Sequence, residues 1–248
     1  IKDKFKETLE SLKLKGIIAP VEEPVDWINN VIIVEKPDGS LRICIDPVEL
    51  NKYIIRERYV IPTIEELSQN LSHKKVFTVL DIKDAFYHIA LDEESSKLCS
   101  FSTVFGTYRF LRAPFGLSCL PELFQRLVHK YFGDIKGVSL YFDDLCIASD
   151  SKEENDRILR EVLERAKKFN VKFNFNKFQY CLSEIKYVGV IFSEKGMLPD
   201  PEKIETIEKL ESPKNKQDLQ RMLGMVNYLR HFIPNMSEIV SPLRKLLR

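Results

Sequence analysis

The sequence predicts an α+β fold in which an antiparallel sheet is backed by helices on one face. Short apolar segments rich in strand-forming residues are joined by tight turns, which is typical of antiparallel strands. Helical patterns occur between these segments, but strands and helices do not alternate regularly, as a parallel sheet would require. From residue 200 onward the pattern is helical throughout, so we predict a boundary near that position.

The N-terminal part of the chain begins with an amphipathic helix. Residues 1–15 place Ile1, Phe5, Leu9 and Leu12 on one helical face, and Gly16 follows as a C-terminal cap. The next predicted elements are a hairpin of strands 30–35 and 41–45, a helix that begins near Pro62, a strand at 76–81 and a hairpin at 101–111.

The second part continues with a helix whose apolar positions form a stripe. The predicted elements are this helix at 121–131, a hairpin at 138–148, a helix that follows the capping box Ser151–Glu154, and strands at 171–175, 180–182 and 187–192. Three helices complete the chain, beginning at Asp200-Pro201, at Asn215 and after Pro234.

Composition is that of a globular protein with a real core. The chain has 248 residues, of which 44% are hydrophobic and 30% charged. No apolar run approaches the length of a membrane span, so we expect no membrane contact. The five cysteines form no Cys-x-x-Cys pair, which favours reduced thiols over a zinc site. The chain starts at Ile1 and ends inside a charged helical pattern, so we expect a piece of a longer polypeptide.

Charge is distributed unevenly along the chain. The net charge is only +1, yet residues 212–248 contain seven basic and two acidic residues. A basic end favours a polyanionic partner, although a solvated helix face explains the charge equally well.

The run Tyr141-Phe142-Asp143-Asp144 has the most unusual chemistry in the sequence. Strand-forming residues flank it on both sides, so a hairpin with the acids at its tip is predicted. Hairpin tips prefer Asn-Gly or Asp-Gly, whereas two adjacent carboxylates repel each other. A solvated acidic turn is the simple interpretation. A divalent cation is the alternative, and it gains weight because another apolar strand ends in Asp81.

Carboxylates from two antiparallel strands could share a metal site. Oxygen ligands select hard cations such as Mg²⁺, which usually shares its site with substrate phosphates. Two such ions support phosphoryl transfer. This chemistry fits nucleotidyl transfer to a 3′-hydroxyl and fits hydrolysis by a metal-dependent nuclease, and the spacing of Asp81 and Asp143 does not choose between them.

Several segments, in this order, resemble the polymerase motifs of reverse transcriptases, especially those of gypsy-type long-terminal-repeat retrotransposons. The resemblance covers nearly the whole chain and rests on 36–47, 50–52, 62–64, 80–86, 112–117, 141–144, 187–189, 199–204 and 223–234. It implies a right-hand polymerase: residues 1–54 and 90–118 would form the fingers, 55–89 and 119–200 the palm, and 201–248 the thumb.

The resemblance also implies the residues of the site. Asp81, Asp143 and Asp144 would be catalytic and would bind two Mg²⁺ ions, with Mn²⁺ as an alternative ion and Asp144 the least direct ligand. The residues expected to bind the incoming dNTP are Lys36, Arg42, Ile82, Lys83, Asp84, Ala85, Phe86, Phe115 and Gly116. Phe86 would exclude a ribose 2′-hydroxyl, or else be an ordinary core aromatic residue.

Further residues would contact pyrophosphate and nucleic acid. Lys177 would lie near the leaving pyrophosphate, and the template and primer would contact Tyr141, Phe142, Lys214, Lys216, Arg221 and Arg230. The expected activity is RNA- and DNA-directed DNA polymerisation in retrotransposon replication. RNase H and integrase regions are expected in the parent polyprotein, outside this stretch. A cytoplasmic location in virus-like particles, or a nuclear one, is also implied. The alternative is a decayed or domesticated copy that binds nucleic acid without catalysis.

Overall fold

The computed structural model describes residues 2–247, which form nine α-helices and twelve β-strands. The helices are α1 (Lys2–Leu14), α2 (Val48–Tyr53), α3 (Ile64–Leu71), α4 (Glu93–Leu98), α5 (Leu120–Phe132), α6 (Lys152–Phe169), α7 (Pro201–Glu208), α8 (Lys216–Tyr228) and α9 (Met236–Lys245). The strands are β1 (Ile18–Pro20), β2 (Asn30–Glu35), β3 (Leu41–Asp46), β4 (Val76–Asp81), β5 (Ser100–Thr103), β6 (Gly106–Phe110), β7 (Val138–Tyr141), β8 (Asp144–Ser149), β9 (Gln179–Leu182), β10 (Glu184–Tyr187), β11 (Val190–Ser193) and β12 (Gly196–Pro199). Neighbouring strands in these sheets are antiparallel, as predicted.

The central sheet has the strand order β7-β8-β4-β9 and is covered on both faces. Side chains alternate between the two faces along a strand, so Leu80 faces one core and Val79 the other. On the first face lie α5 and α6, which contribute Phe124 and Val162 to the core. On the second lie α3 and the sheet β10-β11-β12. The prediction of helices on one face is therefore wrong for α3, since both faces of these strands are apolar and must be buried.

A separate core joins α1 to two small sheets. The sheet β1-β6-β5 and the hairpin β2-β3 bury apolar residues against the predicted face of α1, where Phe5, Leu9 and Leu12 are buried. Ile1, the fourth residue predicted on that face, lies outside the described residues. Gly16 has a φ of 64° and donates its N–H to the Lys13 carbonyl, which ends the helix as predicted.

Polar side chains begin several helices at the predicted positions. Asp200 and Asn215 accept hydrogen bonds from the first-turn backbone of α7 and α8. Ser151 caps α6, but its partner Glu154 accepts the N–H of Asp150, so the reciprocal bond of a capping box is not made there. Residues 201–247 contain the three predicted helices, α7, α8 and α9, joined by short connections. Within the described residues, no helix is both long enough and apolar enough to cross a membrane.

Two strand predictions between 171 and 192 are wrong. Residues 171–175 form no strand, because Phe173 makes only one bridge, to Ile82, and turns its side chain into the core beside α5 and α6. The predicted strand 187–192 is two strands, β10 and β11. Val188 and Gly189, with φ values of 50° and 77°, form the turn between them, and an apolar valine at that position hides the turn in the sequence.

Candidate active site

Strand pairing brings the three predicted carboxylates to one edge of the central sheet. The antiparallel register of β4 and β8 sets Asp81 opposite Asp144. Asp143 lies in the two-residue turn between β7 and β8, and its carbonyl accepts the N–H of Ile82 at 2.7 Å. Both acids were predicted at the hairpin tip, but only Asp143 is there, since Asp144 is the first residue of β8. We term Asp81, Asp143 and Asp144 the acidic edge.

A buried glutamine that the sequence analysis missed holds the turn in place. Phe142 has a φ of 50°, an uncommon conformation for a residue with a side chain. The amide of Gln125, only 2% exposed, accepts the N–H of Phe142 at 2.6 Å and donates to the Leu140 carbonyl at 3.3 Å. Gln125 therefore connects α5 directly to the residue before Asp143. Its polar side chain on the apolar stripe of α5 was the only signal in the sequence.

The like charges of the acidic edge lie close together and disfavour ionisation of its carboxyl groups. Loss of water raises the pKa of Asp144 to about 6, and the charges of Asp143 and Asp81 add to the effect. The same two causes, loss of water and then the charge of Asp81, raise the pKa of Asp143. The Lys177 ammonium lies 2.9 Å from Asp81 Oδ2, and this hydrogen bond raises the pKa of Lys177. One lysine thus neutralises part of a three-carboxylate cluster.

The acidic edge has the donor chemistry of a divalent-cation site. Across residues 2–247, no three His, Cys, Asp or Glu side chains have already converged into a metal-binding group. Asp81 and Asp144 nevertheless lie on paired strands, with Asp143 in the adjoining turn. The three carboxylates supply only oxygen and carry more negative charge than Lys177 balances. A hard cation such as Mg²⁺ would relieve that repulsion, so the residues present fit the predicted metal.

Five of the predicted dNTP-binding residues line one cleft next to the acidic edge. This front cleft has a volume of about 440 Å³, and those five residues are Lys36, Arg42, Lys83, Asp84 and Phe115. Lys36 Nζ is 3.9 Å from the Asp84 carboxylate, and the Arg42 guanidinium lies 4.5 Å from the centre of the Phe115 ring. The front cleft therefore combines cations with an aromatic surface that orients one of them.

The other four predicted dNTP-binding residues do not line the front cleft and lie behind or beside it. Ile82 and Ala85 are buried in the core beside α5 and α6. The ring of Phe86 is half-buried, 4.9 Å from Phe115 and 5.8 Å from Phe124. Gly116 has a φ of 121°, and a β-carbon there would lie 2.1 Å from the Ile45 carbonyl oxygen. That position needs glycine because the chain passes so close to β3.

The predicted nucleic-acid contacts fall into two groups. Tyr141 and Phe142 are half-buried at the acidic edge, with ring centres 4.7 Å apart. The four basic residues are exposed and belong to the helical region after residue 200: Lys214, Lys216, Arg221 and Arg230. Two of them are paired with acids, Lys214 with Glu211 and Arg230 with Glu65. The structure therefore does not bring this second group into contact with the acidic edge.

Comparison with solved structures identifies the fold. The fold matches a foamy viral protease-reverse transcriptase solved with double-stranded DNA, with a TM-score of 0.92 and 24% identity over 99% of this chain and 43% of that chain. A second structure, of the foamy viral protease-reverse transcriptase with an RNA/DNA hybrid, gives a TM-score of 0.87 over 99% and 33%. The fold is that of reverse transcriptases, and the α+β polymerase prediction is confirmed.

Sequence comparison then gives the family. The profile described as "Reverse transcriptase (RNA-dependent DNA polymerase)" matches residues 34–192. The Transposon Tf2-3 and Tf2-7 polyproteins of Schizosaccharomyces pombe are 35% and 34% identical over 220 residues, or 88% of this chain. The chain belongs to the reverse transcriptase family, and its predicted resemblance to retrotransposon enzymes is confirmed. It spans 16% of the length of these polyproteins.

Proposed function

We propose that this chain polymerises DNA on RNA and DNA templates by two-metal nucleotidyl transfer from dNTPs to a primer 3′-hydroxyl, in retrotransposon replication. The observation that carries the proposal is the pairing of Asp81 with Asp144, beside Asp143 and the front cleft. Carboxylates and cations are thus adjacent, as a reaction between a hydroxyl and a triphosphate requires. Family membership supports the same reaction.

The acidic edge would hold two Mg²⁺ ions, or Mn²⁺ in their place, through Asp81, Asp143 and Asp144. When bound, such ions activate the attacking oxygen and stabilise the leaving one. The protein's own contribution is to fix the carboxylates before substrate arrives. The β4–β8 register and the Gln125 hydrogen bonds do this, because they constrain the backbone on both sides of Asp143. Lys177, which pairs with Asp81 in this structure, would contact the leaving pyrophosphate.

The front cleft would bind the triphosphate and sugar of the incoming dNTP. Lys36 and Arg42 would neutralise the phosphates, with Arg42 held in orientation by Phe115. Lys83 and Asp84 would border the sugar and phosphates. Phe86 would limit space at the 2′ position, because Phe115 and Phe124 already fix its ring. Ile82, Ala85 and Gly116 would act by positioning the backbone around these side chains.

The template and primer would lie across the fingers, palm and thumb. These three subdomains would have the residue ranges predicted above. Tyr141 and Phe142 would contact the primer end, and Lys214, Lys216, Arg221 and Arg230 would bind phosphates, so affinity should fall steeply with salt. Two foamy viral relatives were solved with double-stranded DNA and with an RNA/DNA hybrid, which supports both kinds of duplex. We also propose that the parent polyprotein carries RNase H and integrase regions and acts in cytoplasmic particles or the nucleus.

Primer extension tests the proposal. The chain, an RNA template annealed to a DNA primer, dNTPs and Mg²⁺ should give extended DNA. Asp143→Asn should reduce the rate by at least about 10³-fold, because the amide removes a charge needed to stabilise the transition state. Asp150→Asn is the matched control, since Asp150 is exposed just beyond the opposite end of β8 and, within residues 2–247, forms an ion pair only with Lys74.

The outcomes separate the candidate functions. No extension by the native chain, with template binding retained, would favour the decayed copy. Metal-dependent cleavage of the RNA strand without extension would favour the nuclease. Extension that persists in Asp143→Asn would show that the acidic edge is not the catalytic centre.

A further inference from the structure

A second cleft lies next to the front cleft and is lined by an unusual density of positive charge. This rear cleft has a volume of about 310 Å³. Its cationic lining residues are Lys15, Lys83, Arg112 and Lys172, and Asp84 is the one carboxylate among the residues that line it. These residues come from four separate parts of the sequence, so no single charged helix face explains them.

The four cations have no acidic partners within residues 2–247. None of them makes an ion pair, whereas most other cations near the site do: Lys36 pairs with Asp84 and Lys177 with Asp81. Cations gathered around one cavity repel each other unless an anion enters it. The rear cleft is therefore an electrostatic site for a small, multiply charged anion.

Backbone hydrogen bonds hold the rear cleft together. The Lys83 N–H donates to the Lys172 carbonyl at 2.8 Å, and the Lys172 N–H donates to His88 Nε2 at 3.2 Å. The other ring nitrogen of His88 donates to the Ala85 carbonyl at 3.0 Å. A ring that accepts at Nε2 and donates at Nδ1 is neutral and serves as a brace, and burial lowers the pKa of His88 in the same sense. Lys83 and Lys172 are thus fixed side by side through their main chains while their side chains remain exposed.

The rear cleft continues from the front cleft. Both are lined by Lys15, Ile17, Lys83, Asp84 and Tyr87. Asp84, at this junction, is 3.9 Å from Lys36 on the front side. An anion that leaves the front cleft therefore has a cation-lined space directly beside it. A space of about 310 Å³ fits a small anion better than it fits a duplex phosphate backbone.

We propose that the rear cleft is an anion subsite that receives inorganic pyrophosphate after it leaves the front cleft. The inference rests on the proposed polymerase function, whose transfer step breaks the bond between the α- and β-phosphates and releases pyrophosphate. In this subsite Lys15, Lys83, Arg112 and Lys172 bind the product away from the acidic edge. The site thereby lowers the chance that pyrophosphate re-enters the reaction.

Titration calorimetry with inorganic pyrophosphate, in buffer that contains EDTA and no nucleic acid, tests the subsite directly. The native chain should bind pyrophosphate more tightly than inorganic phosphate. The double substitution Arg112→Gln with Lys172→Gln should weaken pyrophosphate binding by about tenfold, because two charge-assisted contacts are lost at a partly solvated site. Arg160→Gln with Lys130→Gln is the matched control, because both residues are exposed, unpaired within residues 2–247 and outside the two clefts.

Three results would overturn the proposal. The first is that the double variant binds pyrophosphate as tightly as the native chain does. The second is that the native chain binds phosphate and pyrophosphate with equal affinity. The third is that the double variant loses affinity for pyrophosphate and for a dNTP to the same extent. If the double variant does not fold, Lys172→Gln alone provides the same test, because its exposed side chain lines the rear cleft and not the front cleft, with a several-fold loss expected. Asp143→Asn should bind pyrophosphate like the native chain. Because the titration lacks template and metal, its failure is distinguishable from failure of primer extension.

Discussion

The acidic edge and the front cleft are separated in the sequence by a single residue, Ile82, between Asp81 and Lys83, yet different interactions hold them in place. Main-chain pairing of β4 with β8 and the buried amide of Gln125 position the carboxylates. Two cations of the front cleft, Lys36 and Arg42, are long side chains on the hairpin β2-β3, held by a 3.9 Å ion pair to Asp84 and by stacking on Phe115. Geometry that the backbone imposes persists without a ligand, whereas long side chains can rearrange around one.

This difference assigns separate tasks to the two regions. A site for like charges must be fixed in advance, because the carboxylates repel each other and would otherwise separate. A site for a flexible triphosphate gains from side chains that can follow it, at a cost in side-chain entropy. Substitutions should therefore affect the rate at the acidic edge and the substrate affinity in the front cleft.

The largest expected effect is the difference in kinetic constants between Asp81→Asn and Lys36→Gln. Asp81→Asn should lower kcat by about 10³-fold or more with little change in the KM for dNTP, because it removes a charge that acts in the transition state. Lys36→Gln should mainly raise that KM, by about tenfold, through loss of one charge-assisted contact. Steady-state primer extension at varied dNTP measures both constants. Equal effects of both substitutions on kcat would break the comparison.

The comparison also shows what the sequence could predict. Apolar periodicity located α1, the β4 strand and the β7–β8 hairpin, and the motif resemblance gave the α+β polymerase class. Predicted site residues that belong to paired strands, or to the hairpin β2-β3, lie on the elements that the strand pattern predicted. Strand alternation puts residues on defined faces, so Asp81 and Asp144 meet once the register is set.

Other features could not be predicted from the sequence alone. Gln125 contacts Phe142 across 17 positions, and a single sequence contains no record of that pairing. The turn at Val188 and Gly189 has an apolar residue where a polar one is common. The rear cleft gathers cations from four separate segments, so it exists only after folding. The Gln125 contact and the rear cleft depend on residues distant in sequence, which local propensity does not encode.

Gln125→Met tests whether the buried amide is what fixes the acidic edge. Methionine has nearly the same shape but leaves the Phe142 N–H and the Leu140 carbonyl without their partner, so we expect the free energy of unfolding to fall by about 2 kcal/mol. The rate of primer extension should also fall, at unchanged KM for dNTP. Urea denaturation gives the stability, and Gln220→Met, at an exposed position of α8, is the control. Native stability in Gln125→Met would mean that the β4–β8 register alone sets the turn.

Asp144→Asn should stabilise the protein in the absence of divalent cations, which no substitution of a cation in the front cleft should do. The pKa of Asp144 is about 6 in the folded protein and 3.8 for an ordinary aspartate, so its ionisation opposes folding as pH rises through that interval. At about pH 7.5, with a chelator, removal of the charge should raise the free energy of unfolding by about 1 kcal/mol after allowance for solvent screening. Below about pH 4 the gain should vanish, because both states then carry a neutral side chain. Urea denaturation across this pH range measures the difference, with Asp150→Asn as the exposed control. A destabilised Asp144→Asn at about pH 7.5 would show that Lys177 already balances the acidic edge, and that the repulsion assigned to it is absent.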